Sequence, residues 1–264
     1  MSSILDKIFA AKRVELEARR REVSLESLID AVARMTAPRP FIAALQAARP
    51  AIIAEVKRAS PSKGDILPNL DPAAVAADYR AAGAAAMSVL TDVHFKGTLA
   101  DLKTVRAAID LPLLRKDFMF DSYQVYEARA AGADCILLIA AMLDDTEIKS
   151  LAALAHELKM AALVEVHSET EMRRAEAAGA TLIGINNRDL HSFKTDIALT
   201  ETLLASYRGD ALIVSESGIE TASDVRRLYD AGARAFLVGE SLLRGGHPRD
   251  RLGELVHALD EVVR

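Results

Sequence analysis

The stretch from Ile52 to Gly64 places two opposite charges at the end of an apolar run. Such a run is typical of a strand that is buried on both faces. Because strand side chains alternate, Glu55 and Lys57 point to the same side. A loop rich in Ser, Pro and Gly follows and includes Ser60. The stretch forms either a solvated strand end with a surface ion pair or a strand that delivers an acid and a cation into a pocket.

Polar residues and glycines also lie at the ends of other apolar runs. They are Lys116 after the run at 112–115, Glu165 in the run at 161–166, Asn186 and Arg188 at the end of the run at 182–186, Ser217 and Gly218 after the run at 211–215, and Gly239 and Glu240 at the end of the run at 234–239. Singly, Lys116 fits a surface lysine and Glu165 fits an acid that leads a helix. Arg115, Asp117 and Glu216 fit structural ion pairs equally well. Together, repeated lysines and carboxylates at strand ends favour an acid–base site.

Gly218 and Gly239 each follow one of the last two apolar runs. A glycine lets the backbone approach a ligand closely, and N–H groups at the start of a following helix bind phosphate. Either glycine alone fits an ordinary turn. Together they favour a phosphate site and hence a small phosphorylated substrate, such as a sugar phosphate.

Eight strand-like runs alternate with helical patterns from residue 52 onward. They lie near 52–57, 86–91, 112–115, 134–140, 161–166, 182–186, 211–215 and 234–239. The helices carry start signals, such as the capping-box spacing of Asp121 and Gln124, and the last helix spans about 248–263. The alternation predicts an α/β protein with a closed (β/α)8 barrel. A doubly wound open sheet is the alternative, but it usually has fewer strands and often a glycine-rich first turn, which this chain lacks.

The residues before the first strand form a separate helical region. Residues 4–22 and about 25–35 have helical patterns, and Pro38 and Pro40 break the second one. We predict an N-terminal helical extension at 1–48 and a barrel at 49–264, together forming a single domain. The first helix must bury its apolar side, so we expect residues 1–48 to pack across or beside the mouth of the site.

Composition excludes several classes of protein. The 264 residues carry 33 basic and 38 acidic side chains, and this net charge of −5 argues against nucleic-acid or anionic-membrane binding. The longest apolar run is too short to span a bilayer. The single Cys135 allows no disulfide within one chain, so we expect a cytoplasmic protein. The six histidines show no metal-ligand spacing, and we predict no metal.

Seven motifs resemble those of the indole-3-glycerol-phosphate synthase family. They are Ile-Ala-Glu-Val-Lys-Arg-Ala-Ser-Pro-Ser-Lys-Gly at 53–64, Ser-Val-Leu-Thr-Asp at 88–92, Leu-Arg-Lys-Asp-Phe at 114–118, Leu-Val-Glu-Val-His at 163–167, Gly-Ile-Asn-Asn-Arg-Asp-Leu at 184–190, Ser-Glu-Ser-Gly-Ile at 215–219 and Leu-Val-Gly-Glu at 237–240. The resemblance covers essentially the whole chain. It implies a (β/α)8 barrel, also called a TIM barrel, that acts in tryptophan biosynthesis. The implied reaction closes the ring of 1-(2-carboxyphenylamino)-1-deoxyribulose 5-phosphate with loss of CO₂ and water, and it needs no cofactor.

The resemblance also implies a role for each candidate residue. Lys116 is the general acid at the ribulose carbonyl, and Glu165 removes a proton during dehydration. Lys57 pairs with a substrate anion and with neighbouring carboxylates, and Glu55 orients that network. The remaining residues bind the substrate: Asn186 and Ser217 through hydrogen bonds, Arg188 through the charge network, Ser60 beside the substrate, and Gly218, Gly239 and the backbone of Glu240 at the phosphate. Other enzymes of the tryptophan pathway are candidate partners.

Two physical expectations accompany these roles. Because Lys116 and Glu165 lie on different strands, we expect both to face one ligand without touching each other. We also expect neighbouring cations to disfavour the ammonium form of Lys116 and make it a readier acid. The chain departs from the family in the loop at 92–97, which is one residue short and has His94 in place of a second aromatic residue. This departure leaves the aromatic wall of the substrate pocket undefined.

Two other functions would use the same barrel. Phosphoribosylanthranilate isomerase shares the phosphate site but needs a Cys/Asp pair at strand ends, whereas Cys135 lies at the start of the fourth predicted strand. A non-catalytic sensor of a phosphorylated ligand would need no Lys/Glu pair and would bind its ligand without turnover.

Overall fold

Eight parallel strands close into a barrel in the structure, a computed structural model that describes residues 4–60, 64–189, 192–244 and 247–260. In chain order the strands are β1 (Ala51–Val56), β2 (Ala59–Ser60), β3 (Gly64–Asp65), β4 (Ala86–Leu90), β5 (Leu113–Lys116), β6 (Cys135–Ile139), β7 (Ala161–Val166), β8 (Leu182–Asn186), β9 (Leu212–Glu216) and β10 (Ala235–Val238). The short strands β2 and β3 form a separate antiparallel ribbon. Each barrel strand matches its predicted run to within one residue at either end. Pairing of β1 with both β4 and β10 closes the barrel, so the open-sheet alternative is wrong.

A helix follows each barrel strand. These helices are α4 (Pro72–Ala81), α5 (Leu99–Ala108), α6 (Ser122–Ala130), α7 (Asp145–Glu157), α8 (Glu169–Ala177), α9 (Ala198–Ser206), α10 (Ala222–Ala231) and α11 (Pro248–Val256). Asp121 and Gln124 form the predicted capping box before α6. The predicted last helix is too long, because α11 ends at Val256 and tighter turns replace it, with the Ala258 N–H donating to the carbonyl oxygen of Leu255. Residues 261–264 lie outside the described part of the chain.

The N-terminal extension forms three helices that lie against different parts of the barrel. They are α1 (Ile4–Glu22), α2 (Leu25–Ala33) and α3 (Phe41–Ala47). Leu16 of α1 and Leu28 of α2 pack together with Tyr123 of α6, whose hydroxyl donates to the carbonyl oxygens of Arg19 and Val23. These contacts attach α1 and α2 beside the carboxyl end of the barrel.

The third helix closes the opposite end of the barrel. Phe41 and Leu45 are buried in one cluster with the first residues of several strands, among them Ala51, Ala86 and Ala235. The amino ends of the strands therefore meet α3. The prediction that the whole extension lies at the mouth of the site is wrong for α3, because an open barrel end of apolar side chains needs its own cover.

Strand parity places charged side chains above apolar ones inside the barrel. The pairs are Ile53 with Glu55 on β1, Leu114 with Lys116 on β5, Leu163 with Glu165 on β7, and Val214 with Glu216 on β9. The four charged residues come from alternate barrel strands, as the side chains of one layer in such a barrel do. The top layer of the barrel interior is therefore charged instead of apolar.

Candidate active site

A cavity of about 430 Å³ opens at the carboxyl end of the barrel. All eleven residues that the sequence analysis selected line it: Glu55, Lys57, Ser60, Lys116, Glu165, Asn186, Arg188, Ser217, Gly218, Gly239 and Glu240. Residues 61–63, which belong to the loop rich in Ser, Pro and Gly, lie outside the described part of the chain. The structure thus brings the selected residues of six strand ends into one cavity.

Lys116 lies between two carboxylates at the floor of this cavity. Its Nζ atom donates to Oε2 of Glu165 at 2.7 Å and to Oε2 of Glu216 at 2.6 Å. Burial lowers the pKa of Lys116, but the charges of Glu165, Glu216 and Glu55 outweigh burial and raise it. Two expectations are therefore wrong. Lys116 and Glu165 do touch, and the neighbours of Lys116 are anions that favour its ammonium form.

Glu165 is held as a carboxylate. Burial raises its pKa, but the charges of Lys116 and His167 and hydrogen bonds from Lys116 and Asn186 lower it to about 2. The side-chain amide of Asn186 donates to Oε1 of Glu165 at 3.1 Å. His167 also approaches this carboxylate, with Nε2 at 3.4 Å from Oε1. Each oxygen of Glu165 therefore has a polar neighbour.

Glu216 has a higher pKa than Glu165 and fewer hydrogen-bond partners, and it is not among the residues predicted from the sequence. Burial raises its pKa, Lys116 offsets part of that effect, and the charge of Glu165 raises the pKa further, to about 7. Its Oε1 atom is buried and has no hydrogen-bond partner among the described residues. Glu216 occupies an interior position two residues after Val214, so strand parity could have found it.

Glu55 and Lys57 form the ion pair that their spacing predicts. Nζ of Lys57 donates to Oε1 of Glu55 at 2.5 Å, and both side chains are largely buried. This contact favours delivery of an acid and a cation into a pocket over a solvated strand end. A Cβ atom on Gly239 would lie 2.4 Å from Oε1 of Glu55, so this glycine makes room for the acid.

The polar wall of the cavity follows β8 and β10. The backbone N–H of Arg188 donates to Oδ1 of Asn186 at 3.1 Å, and a guanidinium N–H of Arg188 donates to Oε2 of Glu240 at 3.3 Å. Arg244 pairs with the other oxygen of Glu240 at 2.6 Å. Glu240 thereby holds the guanidinium groups of Arg188 and Arg244 together on this side of the cavity.

The loop after β9 has the left-handed backbone that glycine favours. Gly218 has φ of 80° and Ser217, without that freedom, has φ of 66°. The carbonyl oxygen of Ser217 accepts from the side-chain amide of Asn187 at 3.1 Å, which fixes the turn. A Cβ atom on Gly218 would lie 2.5 Å from Cγ2 of Thr195. Glycine is therefore needed at position 218 for conformational and steric reasons.

An apolar wall faces the polar one. Phe95 and Phe118 line the cavity with ring centroids 6.4 Å apart, and Ile8 and Leu90 lie beside them. His94 takes no part in this wall, because its Nδ1 lies 2.9 Å from Oδ1 of Asp92. The short loop after β4 thus presents a single aromatic ring, and Phe118 supplies the second.

Lys12, a buried lysine of α1, forms ion pairs with the acids that precede the two aromatic rings of this wall. It is not among the residues predicted from the sequence. Nζ of Lys12 lies 2.7 Å from Oδ1 of Asp117, 3.0 Å from Oδ2 of Asp92 and 2.8 Å from Oε2 of Glu15. Asp92 caps the short helix that carries Phe95, and Asp117 precedes Phe118 in sequence. Sequence gave no signal for this cluster, because Lys12 follows the pattern of an ordinary charged helix position.

Cys135 does not line the cavity, and the histidines form no metal site in the described part of the chain. Cys135 is buried at the amino end of the barrel, where burial raises the pKa of its thiol, so it cannot act as the acid of an isomerase. Within the described ranges no group of three or more His, Cys, Asp or Glu residues is placed to hold a metal ion.

The fold and the site define a (β/α)8-barrel enzyme with an acid–base centre at the carboxyl ends of its strands. Comparison with known proteins identifies the family. A family model described as "Indole-3-glycerol phosphate synthase" matches residues 5–255. The chain belongs to this family, whose members are carboxy-lyases of tryptophan biosynthesis that act on a small phosphorylated substrate.

Curated relatives agree over nearly the full length of the chain. An indole-3-glycerol phosphate synthase of Polaromonas sp. (strain JS666 / ATCC BAA-500) is 50% identical over 261 residues, which cover 97% of this chain and 98% of the relative. One from Roseiflexus sp. (strain RS-1) is 50% identical over 265 residues, with the same coverage.

More distant solved structures share the fold alone. A 3-hexulose-6-phosphate synthase from Salmonella typhimurium has a TM-score of 0.62 at 16% identity, covering 79% of this chain and 98% of that one. A thiamine phosphate pyrophosphorylase from Pyrococcus furiosus has a TM-score of 0.61 at 17% identity, covering 81% and 98% of the two chains.

Proposed function

We propose that Lys116 is the general acid of the ring closure of 1-(2-carboxyphenylamino)-1-deoxyribulose 5-phosphate. The observation that supports this role most strongly is the placement of its ammonium group between Glu165 and Glu216 on the floor of the only charged layer in the described barrel interior. Attack of the aromatic ring on the ribulose carbonyl generates an alkoxide, so the reaction needs a proton donor beside that oxygen. Loss of CO₂ then restores the aromatic ring.

The raised pKa of Lys116 is compatible with this role. An alkoxide is the conjugate base of an alcohol with a pKa near that of water, about 15.7. The ammonium group is a stronger acid than such an alcohol, even when anions stabilise its charge. A lysine that is protonated in the resting site also stabilises the developing negative charge before the proton moves. Lys116 therefore serves first as an electrostatic partner of the oxygen and then as its proton donor.

We assign proton removal in the dehydration step to Glu165. A carboxylate with a pKa of about 2 is a weak base in the resting pair. Once Lys116 has given up its proton, the charge that lowers the pKa of Glu165 is gone, and its basicity rises. The 2.7 Å contact between the two groups thus links the acid of the first step to the base of the second.

Lys57 and Glu55 form the second charged pair of the proposal. We assign Lys57 to the substrate carboxylate that is later lost as CO₂, with Glu55 holding its ammonium group in place at 2.5 Å. Asn186 and Ser217 hydrogen-bond to the substrate, and the amide of Asn186 also orients Glu165. The Phe95 and Phe118 wall takes the carboxyphenyl ring, because this face of the cavity is apolar.

We assign the substrate phosphate to the loops after β9 and β10. Gly218, Gly239 and the backbone of Glu240 line the cavity there, with Ser60 facing them from β2. The guanidinium groups of Arg188 and Arg244, both held by Glu240, add positive charge on the same side. The long axis of the substrate then runs from the aromatic wall, past Lys116, to this basic side.

We also propose a cytoplasmic location and contacts with other tryptophan-pathway enzymes. The buried Cys135, which forms no disulfide, is compatible with a reducing compartment. Contacts with other enzymes of the pathway would shorten the transfer of intermediates between them. Among the helices that the structure describes, none is both long and apolar enough to cross a membrane.

Incubation of the purified protein with the carboxyphenylamino-deoxyribulose phosphate tests the proposed reaction. We expect the ultraviolet absorbance of an indole to appear together with release of one CO₂ per product. A folded protein that binds the substrate without forming indole would support the sensor function instead.

A further inference from the structure

Gly184 lies inside β8, where glycine has no conformational purpose. Its φ lies outside the left-handed range, so turn geometry does not require it. Glycine within a strand weakens the strand and marks a close approach by another group. That group is the carboxyl of Glu216, because a Cβ atom on Gly184 would lie 2.1 Å from its Oε1 atom. The same Cβ would lie 3.2 Å from Cδ of Glu216 and from Cδ1 of Leu163.

The register of the barrel explains this approach. Gly184 pairs with Glu165 on β7 and with Val214 on β9, two residues before Glu216. The missing side chain therefore leaves a slot in the wall between the two carboxylates that hold Lys116. Gly239 stands in the same relation to Glu55, whose Oε1 lies where a Cβ would be. Two of the three acids of the charged layer thus occupy the space of an absent side chain.

The slot limits where the Glu216 carboxyl can lie. Oε1 lies in the slot, and Oε2 accepts from Lys116 at 2.6 Å. If the slot were filled, the carboxyl would have to move toward Glu165 or Glu55, which repel it, or upward into the cavity. Either movement would change the hydrogen bond that orients the ammonium group of Lys116.

We propose that Gly184 is a positioning residue of the reaction, which fixes the Glu216 carboxyl against the Lys116 ammonium group by leaving a slot in the barrel wall. The inference depends on the proposed role of Lys116 as the acid. The charged groups that face Glu216 are Lys116 on β5, Glu165 on β7, Glu55 on β1 and His167 after β7. Filling the slot changes the distance of Glu216 from all four, so the pH dependence of catalysis should change with it.

Substitution of a single methyl group tests the slot. Because a misplacement of about 1 Å costs up to about 100-fold in rate, we expect Gly184→Ala to lower kcat about 10- to 100-fold with a smaller change in KM. The pH profile of kcat should shift, since Glu216 would no longer titrate near 7. Gly253→Ala is the matched control, because it adds the same methyl group in α11 with nothing within 4 Å. We expect that control to keep the wild-type kcat and pH profile.

A double variant separates the slot from general damage to β8. The methyl group of Gly184→Ala would clash with the Glu216 carboxyl and should lower the melting temperature. Adding Glu216→Asp shortens the acid by one methylene group and relieves that clash. The melting temperature of the double variant should therefore rise toward that of Glu216→Asp alone. A Gly184→Ala protein with wild-type kcat and pH profile would overturn the proposal, as would a double variant that is no more stable than Gly184→Ala.

A ¹³C-carboxyl NMR titration of Glu216 in the wild type and in Gly184→Ala tests the slot without turnover. If the wild type forms no indole, the proposed function fails, whereas a changed titration would still support the slot.

Discussion

The Nζ atom of Lys116 lies 2.7 Å from Oε2 of Glu165, so the proposed acid and the proposed base of this enzyme form one ion pair. The pair is buried, and Glu216 holds the same ammonium group from another side at 2.6 Å. The two carboxylates stabilise the charge of this ammonium group and raise the pKa of Lys116. The protonation states of the three groups therefore change together during the reaction.

Replacement of Glu165 by glutamine should separate the two halves of the reaction. Gln keeps the size of Glu165 and can still accept a hydrogen bond from Lys116, but it cannot accept the proton of the dehydration step. We expect kcat to fall about 100-fold or more and a decarboxylated, still hydrated intermediate to accumulate in rapid-quench mass spectrometry. Glu169→Gln on the exposed start of α8 is the control and should behave as the wild type. Wild-type turnover in Glu165→Gln would remove this residue from the mechanism.

Glu216 should make the protein less stable as the pH rises. Its pKa is about 7 in the folded protein against an ordinary value of 4.5. Between these values the folded state holds a proton that the unfolded chain has released, so the free energy of unfolding falls with rising pH and levels off above pH 7. Glutamine does not titrate. The stability of Glu216→Gln relative to the wild type should therefore increase from pH 4.5 to 7, as measured by urea unfolding.

The exposed Glu157→Gln at the end of α7 serves as the control for that experiment. Its stability relative to the wild type should not follow this pattern. A difference between Glu216→Gln and the wild type that stays constant from pH 4.5 to 7 would contradict the raised pKa of Glu216.

Lys12 should affect substrate binding from outside the cavity. Lys12→Met removes the ammonium group that joins the buried Asp92 to Asp117, although Asp117 keeps Arg115 at 2.9 Å. Removal of one partner from a buried ion pair typically costs about 3–5 kcal/mol of stability. Because these acids precede Phe95 and Phe118, we expect KM to rise more than kcat falls, as steady-state kinetics below the melting temperature can show. Lys7→Met, on the exposed side of α1, should change neither value. An unchanged KM in a folded Lys12→Met protein would limit Lys12 to a structural role.

The phosphate assignment predicts a large loss of affinity when the phosphate is absent. A dephosphorylated substrate analogue should bind the wild type at least about 100-fold more weakly in calorimetry, since charge-assisted hydrogen bonds to a phosphate contribute about 1.5–3 kcal/mol each. Arg188→Met should lower affinity for the phosphorylated substrate much more than for the analogue. Equal affinity of the wild type for both compounds would place the phosphate elsewhere.

Much of this site can be predicted from the sequence, because local rules determine it. The apolar runs predict the bounds of each barrel strand to within one residue. Strand parity then predicts that Glu55, Lys116 and Glu165 lie on the interior face. The same parity applies to Glu216, which fits a structural ion pair equally well when only its sequence context is considered.

Contacts across the barrel cannot be predicted in this way. The meeting of Lys116 with Glu165 depends on barrel width and tilt, which no local pattern encodes. The neighbours of Lys12 come from α1, the loop after β4 and the loop after β5, and α3 covers the far end of the barrel with Phe41, Leu45 and the partly buried Ile42. These arrangements depend on tertiary packing, so sequence spacing gave the wrong pKa direction for Lys116 and the wrong position for α3.

Single-turnover kinetics of Lys116→Met test the central assignment most directly. Methionine fills nearly the same space as Lys116 but carries no proton to donate. With enzyme in excess over substrate, the wild type should convert the bound substrate to indole-3-glycerol phosphate in one rapid phase. Lys116→Met should bind the substrate, as calorimetry can confirm, and form product at least about 100-fold more slowly. A folded Lys116→Met protein that forms product at a rate near that of the wild type would contradict the assignment, and Lys57 would then be the acid.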